Sequence, residues 1–514
     1  MSSKDTNKYL LSLDLGTSGC KITLFNLRGV VIKSTVQEYQ TFYPQKNWVE
    51  QNPNEWWEAI AKGLKNLNVD SLKTKEILAI GIAGQSWACL PVDKNGKALR
   101  NAIIWLDRRS VKQAEKMSAD IGEDKIFEIS GNPVDPSYVT PKIMWIKENE
   151  PEIYNKTHKF LQSNSYIGYK LTSKFSQDYS QAYGLHFFEV NNQSWNKKIA
   201  EKLGIDLDKI PSLYEPHEII GRVTLKAAKK TGLKEGVPVV AGGLDAACCT
   251  LGAGVINDYQ TQEQGGQAGG MSIQLDRPKG NPKLILGRHV IPDKWLLQGG
   301  TVGGGGTLRW FKNELGKYEK NLSSGTDKNP YQIMSEEANT VSPGSNGLIF
   351  LPYMSGERSP IWDPKAKGLY FGLTFKTKRS QMIRAIMEGV GFSLHHNLKT
   401  AEKSIKGIKK LNSVGGSANS KVWTQIKADI TNKEINVPYS DHATTLGAAL
   451  IAGVGIGIYN DYKDAVDQTV RIKRTHKPNS ENHELYSKYF NIYLDLYKNL
   501  KETYQKLDKI INKN

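Results

Sequence analysis

Two aspartates stand where phosphate chemistry could use them. Asp14 leaves the apolar residues 10–13 straight into Gly16-Thr17-Ser18-Gly19. Amides and hydroxyls in such a turn can hold phosphate oxygens, and a carboxylate beside them can hold a metal ion or its waters. An ordinary hairpin with a glycine bulge has the same composition, so this turn alone leaves both readings open. Asp245 repeats the theme after the apolar run 237–240, in Gly242-Gly243-Leu244-Asp245-Ala246-Ala247. Small residues there allow close approach, and a short helix over 246–251 would favour an anion at its start. The competing reading of Asp245 is a helix N-cap.

Glycine-rich segments recur in the second half. They are 262–273 (QEQGGQAGGMSI), 296–307 (LLQGGTVGGGGT) and 414–419 (VGGSAN), and the last two open helices predicted over 308–315 and 420–432. Without Cβ atoms in the way, backbone donors can reach phosphate or ribose. One such loop is weak, since a tight turn gives the same pattern. Their recurrence beside the Asp14 turn points to a nucleotide site.

The elements that must position these residues form an alternating α/β pattern. Residues 10–15 and 20–26 read as paired strands and 30–39 as a third by alternation. Pro53 opens a helix with Asn52 as its N-cap and Trp56, Trp57, Ile60 and Leu64 on one face. The strand-like run 77–83 delivers Gln85, Ser86 and Trp87 at its C-terminal end, and 102–105 delivers Trp105 and Asp107. Ligands of open α/β sheets bind at such ends. Residues 111–203 read as mainly helical, 446–454 as a small-residue helix, and 465–514 as a charged helical tail without chemistry. Each half begins with a strand–turn–strand unit.

A chain of 514 residues exceeds one hydrophobic core, which predicts two domains, 1–253 and 254–514. A formal charge of +17 could attract nucleic acid, but the lysines are dispersed and no basic block is interleaved with aromatics, so neither nucleic acid nor a membrane is an expected partner. The cysteines, Cys20, Cys89, Cys248 and Cys249, lack a paired spacing and read as reduced thiols of a cytoplasmic protein. MSSKDTNKY lacks a leader's apolar core, and residues 237–256 carry Asp245 and glycines, against a membrane span.

Together the motifs resemble the FGGY carbohydrate kinases of the actin/hexokinase ATPase superfamily, above all the xylulokinase-type members. The resemblance runs from about residue 9 to about 456. It is carried by DLGTSG (14–19), NWVEQNPNEWW (47–57), GIAGQ (81–85), AIIWLDRR (102–109), AGGLDAA (241–247), GGGGTLRWF (303–311), LPYMSGERSPIWDPKAKGLYFGLT (351–374), EGVGFSL (388–394), GGSANSKVW (415–423) and TTLGAA (444–449). It implies an α/β fold of two RNase H-like (actin-like ATPase) domains flanking a central cleft, with sugar chiefly on the first domain and ATP on the second.

The implied roles run motif by motif. Asp245 is the base that takes the sugar hydroxyl's proton and, with Asp14, a holder of Mg²⁺. Thr17, Ser18, Gly266 and Gln267 meet phosphate oxygens. Gly305, Leu308 and Arg309 line the nucleotide site, and Gly415, Gly416 and Asn419 hold the adenosine. Gln85, Ser86, Trp87, Trp105, Asp107 and Tyr138, with Asp245, face the sugar. In-line phosphoryl transfer asks for this division, since it depends on positioning and charge neutralisation rather than covalent chemistry. Gly356-Glu357-Arg358 reads as a loop clamp or structural ion pair, and Trp48 and Glu50 as sugar-facing or packing residues.

The sequence departs from the family pattern in two places. Xylulokinases carry Met-His, and glycerol kinases Arg-Glu, where this chain has Ser86 and Trp87. A tryptophan can stack on a sugar's C–H face and a serine can donate a hydrogen bond, so sugar binding is still expected. The second phosphate turn, usually Gly-Thr-Ser-Gly, is Gly266-Gln267-Ala268-Gly269 and lacks the hydroxyl. The implied activity is ATP-dependent phosphorylation of a ketopentose or related sugar, foremost D-xylulose to its 5-phosphate. L-Ribulose, gluconate, erythritol and the autoinducer-2 type of substrate are the alternatives, with a non-catalytic ATP-binding regulator on the same fold as the reading of another class. A homodimer is left open.

Overall fold

The computed structural model describes residues 7–68 and 77–511; most of the N-terminal stretch read for a leader lies outside them. The chain divides into two compact α/β units. The first comprises Met1–Asp258, Gln274–Leu296 and His442–Arg471, and the second Tyr259–Ile273, Leu297–Asp441 and Ile472–Asn514. A single cut at 253/254 therefore catches only the first crossing, because the chain later returns to the first unit. The cause is visible in the helix Ala443–Gly455, whose small residues let it lie against the helix Asp245–Gly252. A Cβ on Gly447 would stand 1.8 Å from the Cys248 carbonyl oxygen, and one on Gly252 would stand 1.9 Å from that of Ala443.

In the first unit the main sheet runs Ile219–Arg222, Pro238–Val240, Ile77–Gly84, Tyr9–Leu15, Gly19–Asn26, Val31–Glu38. Tyr9–Leu15 pairs antiparallel with Gly19–Asn26, with Leu15 opposite Cys20, and parallel with Ile77–Gly84, with Leu15 opposite Gly84. Gly243-Leu244 pairs with Ala83-Gly84. This register brings Asp14, Gln85 and Asp245 to one end of the sheet. Burial on both faces explains why the central strands are nearly continuous apolar runs. Val31–Glu38, at the sheet's edge, alternates instead. The helix Pro53–Asn66 starts as predicted, with the Asn52 side chain accepting from Asn54 N–H.

A second sheet, most of whose residues belong to the second unit, holds the strands Trp295–Thr301, Gly269–Leu275, Thr261–Gly265, Lys410–Val414, Glu434–Pro438 and Ile472–His476, in that order. The last of these corrects the expectation of a purely helical tail. Ile472–His476 is an edge strand, antiparallel to Glu434–Pro438, and its Lys473 and Arg474 disguise it as solvated helix surface. Charged residues on an edge also discourage pairing with another chain. The helix Ser480–Ile511 comes last and buries Tyr486, Phe490, Tyr493 and Tyr504. No helix among the described residues is long and apolar enough to cross a membrane.

Candidate functional site

At the sheet end of the first unit, two carboxylates act on each other. Burial pushes Asp14 up to about 7, the charge of Asp245 adds to the rise, and Lys21 opposes it. The helix carrying Asp245 begins at that residue and has Leu244 as its N-cap, so Asp245 is not the cap. Its Oδ1 accepts from Ala246 N–H at 2.6 Å. Leu244 N–H donates to Ser180 Oγ at 2.8 Å, and Ser180 donates to the buried Asp178 at 2.5 Å, which fixes the backbone before the aspartate. Gly242 has φ +73, and a Cβ there would fall 2.0 Å from the Ile82 carbonyl oxygen. That approach is open to glycine alone.

Side chains hold the Asp14 turn from one side. Trp105 Nε1 donates to Thr17 Oγ1 at 2.9 Å, and Gln51 Nε2 donates to the Thr17 carbonyl at 2.6 Å. Gln51 Oε1 in turn accepts from Gln85 Nε2 at 2.8 Å and from Trp56 Nε1 at 3.1 Å. Thr17, Trp105 and Gln85 thus form one chain of contacts through Gln51, while Ser18 is exposed. Sequence reasoning missed Gln51, although it lies inside the motif 47–57.

Around the sugar-side residues, the structure alters two expectations. Trp87, at φ +58 and 2% exposed, stacks on Tyr138 with ring centroids 4.2 Å apart and leans on Tyr183. Its ring is engaged by these tyrosines instead of being open for a sugar face. Trp87 Nε1 and Gln85 Oε1 are buried polar atoms with no hydrogen-bond partner among the described residues. Ser86 is half-buried. Asp107, expected to face the sugar, is fully buried as a scaffold group. Its carboxylate accepts from Val49 N–H at 2.5 Å and Arg109 N–H at 2.9 Å, and it pairs with the Arg109 guanidinium at 2.7 Å. Arg109 also reaches Glu50 at 2.8 Å and lies 3.8 Å from the Trp48 ring centroid, so Trp48 and Glu50 belong to the packing.

A lysine that sequence reasoning missed ties this region together. Lys142, buried in the helix Val139–Asn149, donates to the carbonyls of Trp87 at 2.8 Å and Ile104 at 2.9 Å. Burial lowers its pKa to about 7, against the opposing pull of Asp107 and Asp135. The only signal in the sequence is a lysine inside an otherwise apolar helical turn.

In the second unit, Gly266, Gln267, Gly305, Leu308, Arg309, Gly416 and Asn419 line one cavity of about 920 Å³. Gly415 does not line it; at φ +85 it abuts the backbone of Gly265. The turn 266–269 and the start of the helix Gly305–Glu314 are pressed together. A Cβ on Gly304 would meet the Ala268 carbonyl carbon at 2.3 Å, and Gly306 N–H donates to the Gln267 carbonyl at 2.9 Å. Beneath the 415–419 loop, buried Lys427 pairs with Glu263 at 2.6 Å and donates to Ser417 Oγ at 2.7 Å. Lys427 too was missed, for it reads as the polar face of a helix.

Comparison with known proteins agrees with this geometry. The profile of the FGGY family of carbohydrate kinases matches residues 9–252 for its N-terminal domain and 278–456 for its C-terminal domain. The xylulose kinase of Staphylococcus epidermidis is 32% identical over 508 residues, 98% of this chain and 99% of that one. The solved gluconate kinase from Lactobacillus acidophilus aligns with TM-score 0.87 at 25% identity, over 97% of this chain and 99% of its own. The ligand-bound xylulose kinase from the same organism gives TM-score 0.87 at 25% identity, over 97% and 100%. With both domains matched and both sheet-containing units present, the chain belongs to the FGGY family of carbohydrate kinases and is a sugar phosphotransferase of the actin-like ATPase fold.

Proposed function

We propose that this kinase transfers the γ-phosphoryl group of ATP to a neutral ketopentose, D-xylulose, giving the 5-phosphate. The observation that carries the choice is the state of the cations around Gln85, Trp87 and Trp105. Lys142 is held by two carbonyls, Arg109 by Asp107 and Glu50, Arg100 by Glu50 and Glu150, and Arg108 by Asp135. An aldonate such as gluconate needs a cation for its carboxylate. The arginines here are already paired with carboxylates and Lys142 is taken up by two carbonyls, which leaves Arg109 Nη1 as the one buried donor among them with no partner among the described residues. Gln85 Oε1 and Trp87 Nε1 offer an acceptor and a donor, which suits hydroxyls. The xylulose kinase names among the relatives support the same choice.

In this reading Asp245, the first residue of its helix, accepts the proton of the attacking hydroxyl. Thr17 and the amides of the 16–19 and 266–269 turns receive phosphate oxygens, Gly305, Leu308 and Arg309 line the nucleotide, and Gly416 and Asn419 hold the adenosine. Asp14 and Asp245 fit a divalent cation, because the charge of Asp245 adds to the cost of ionising Asp14, which a cation between them would relieve. No group of three or more metal-binding side chains exists among the described residues, which suits a Mg²⁺ held largely by phosphates and waters. Mg²⁺ bound there would neutralise charge on the phosphates.

A coupled assay of ADP release tests the proposal, with D-xylulose, L-ribulose, erythritol, glycerol and gluconate as acceptors and Asp245→Asn as control. D-Xylulose is expected to give the highest kcat/KM. Preference for gluconate would overturn the sugar, and ADP release no greater than that of the variant would overturn the assignment of Asp245.

A further inference from the structure

The Gly356-Glu357-Arg358 motif, which the sugar and phosphate roles leave unused, grips the segment that leads into the nucleotide helix. Glu357 is 4% exposed. Its carboxylate accepts from Thr301 Oγ1 at 2.5 Å, from Val302 N–H at 2.8 Å and from Arg358 N–H at 2.8 Å. One residue earlier, Gly300 N–H donates to Ser359 Oγ at 3.1 Å. One residue later, a Cβ on Gly303 would stand 1.9 Å from the Pro352 carbonyl oxygen. Residues 300–303 all bear on the 352–359 loop, then: Glu357 grips Thr301 and Val302 with its carboxylate, and a Cβ on Gly300 would stand 2.8 Å from the Arg358 guanidinium.

The residues just beyond this segment give the grip its meaning. Gly304 and Gly305 lie against the backbone of the 266–269 turn, and Gly305, Leu308 and Arg309 line the cavity. A shift at Thr301–Val302 moves the first turn of that helix, and a change of a few tenths of an ångström there is enough to misalign amide donors. We infer that Glu357 is a positioning residue for ATP, holding the 301–306 segment so that its amides meet the phosphates. The inference rests on reading the cavity as the ATP site.

The charge state of the clamp is open to pH. Burial pushes Glu357 up to about 7, against its hydrogen bonds from Thr301, Val302 and Arg358 and the Arg358 charge; Tyr353 and Tyr493 are the other titratable groups facing it. Its own N–H is paired with the Asp363 carbonyl. Protonation would turn an acceptor toward groups that are themselves donors, so the grip weakens as pH falls through about 7.

The test measures KM for ATP and for D-xylulose, and kcat, in the wild type, Glu357→Gln and Thr301→Val, alongside unfolding midpoints. KM for ATP is expected to rise about tenfold in Glu357→Gln and about threefold in Thr301→Val, with the sugar KM held within about twofold. The pH dependence of the ATP KM should shrink in Glu357→Gln, while that of kcat persists. An unchanged ATP KM in both variants would overturn the inference, as would parallel rises in both KM values with a lowered unfolding midpoint. If Glu357→Gln does not fold, Thr301→Val decides alone by the same criteria. A wild type that phosphorylates sugar yet loses nothing in either variant overturns the clamp only, whereas a wild type that does not bind ATP overturns the site reading beneath it.

Discussion

The two turns to which we assign the phosphates of ATP are built by different means. The 14–19 turn of the first unit carries a carboxylate and hydroxyls, and side chains from elsewhere hold it: Trp105 on the Thr17 hydroxyl and Gln51 on the Thr17 carbonyl. The 265–269 turn of the second unit carries neither carboxylate nor hydroxyl. Backbone packing holds it, with Gly304 and Gly305 fitted against it at distances no Cβ tolerates. One turn works through side-chain chemistry and the other through shape. On the proposed reading that difference explains how Gln267 and Ala268 stand where a threonine and serine are usual: a turn meant to act through its amides tolerates exchange of its side chains, but it does not tolerate a Cβ on the glycines it packs against.

The contrast can be broken from its strongest side first. Asp245→Asn should lower kcat about a thousandfold, since it removes the proposed proton acceptor, while calorimetry still shows ATP binding. Retention of more than a tenth of the rate would move the base elsewhere. Next, Gly304→Ala should raise the KM for ATP about tenfold, because its Cβ collides with backbone and not with a flexible side-chain tip. An unchanged KM would mean that the turn can relax, and the shape argument fails. Gln267→Thr, which restores the usual residue, should change the ATP KM by less than about threefold. A large gain would show that the missing hydroxyl matters after all.

The smallest effect is on stability. Asp14 is raised from its usual value to about 7 in the folded protein, so the folded state binds more protons than the unfolded chain between those limits. The stability this supplies is full below about pH 4 and is lost as pH rises through about 7. Asp14 should therefore lower the unfolding midpoint of the ligand-free protein by about 2–4 °C between about pH 5.5 and about pH 7.5, a share that Asp14→Asn should remove while those of Glu357 and Lys142 persist. Catalysis runs the other way, since a carboxylate that is to hold a cation must be ionised: kcat/KM, which reports the free enzyme, should climb as pH rises through about 7 in the wild type. A midpoint whose dependence on pH in the same window is unchanged by Asp14→Asn would contradict the assignment.

Sequence legibility split along the same line. The Asp14 turn, the Gln85 strand end and the Asp245 turn could be read directly, because apolar strands ending in glycine and polar residues announce both their burial and their exit. The glycine loops were legible as a group, and all but Gly415 of their expected residues reached the cavity. Lys142 and Lys427 were not legible. A lysine in a helix reads as solvent face, and nothing local reveals that its partners are distant carbonyls or Glu263. Asp107 misled for the opposite reason: a carboxylate after Trp105 resembles a ligand, yet Arg109, two residues on, already claims it. Trp87 looked like a stacking platform, but Tyr138 and Tyr183 lie against its ring. The edge strand Ile472–His476 carries too few apolar residues to show its period.

The helix Ala443–Gly455 bears on how the protein is made. It covers the helix that begins with Asp245 and the strands Tyr9–Leu15 and Ile77–Gly84, yet it is translated about two hundred residues after that helix and later still after the strands. During synthesis the first unit must wait, its Asp245 helix uncovered, until most of the chain has left the ribosome. A fragment ending at Asp258 is accordingly expected to bind an apolar dye and to be cut quickly by protease, and a separately supplied 442–471 peptide should suppress both.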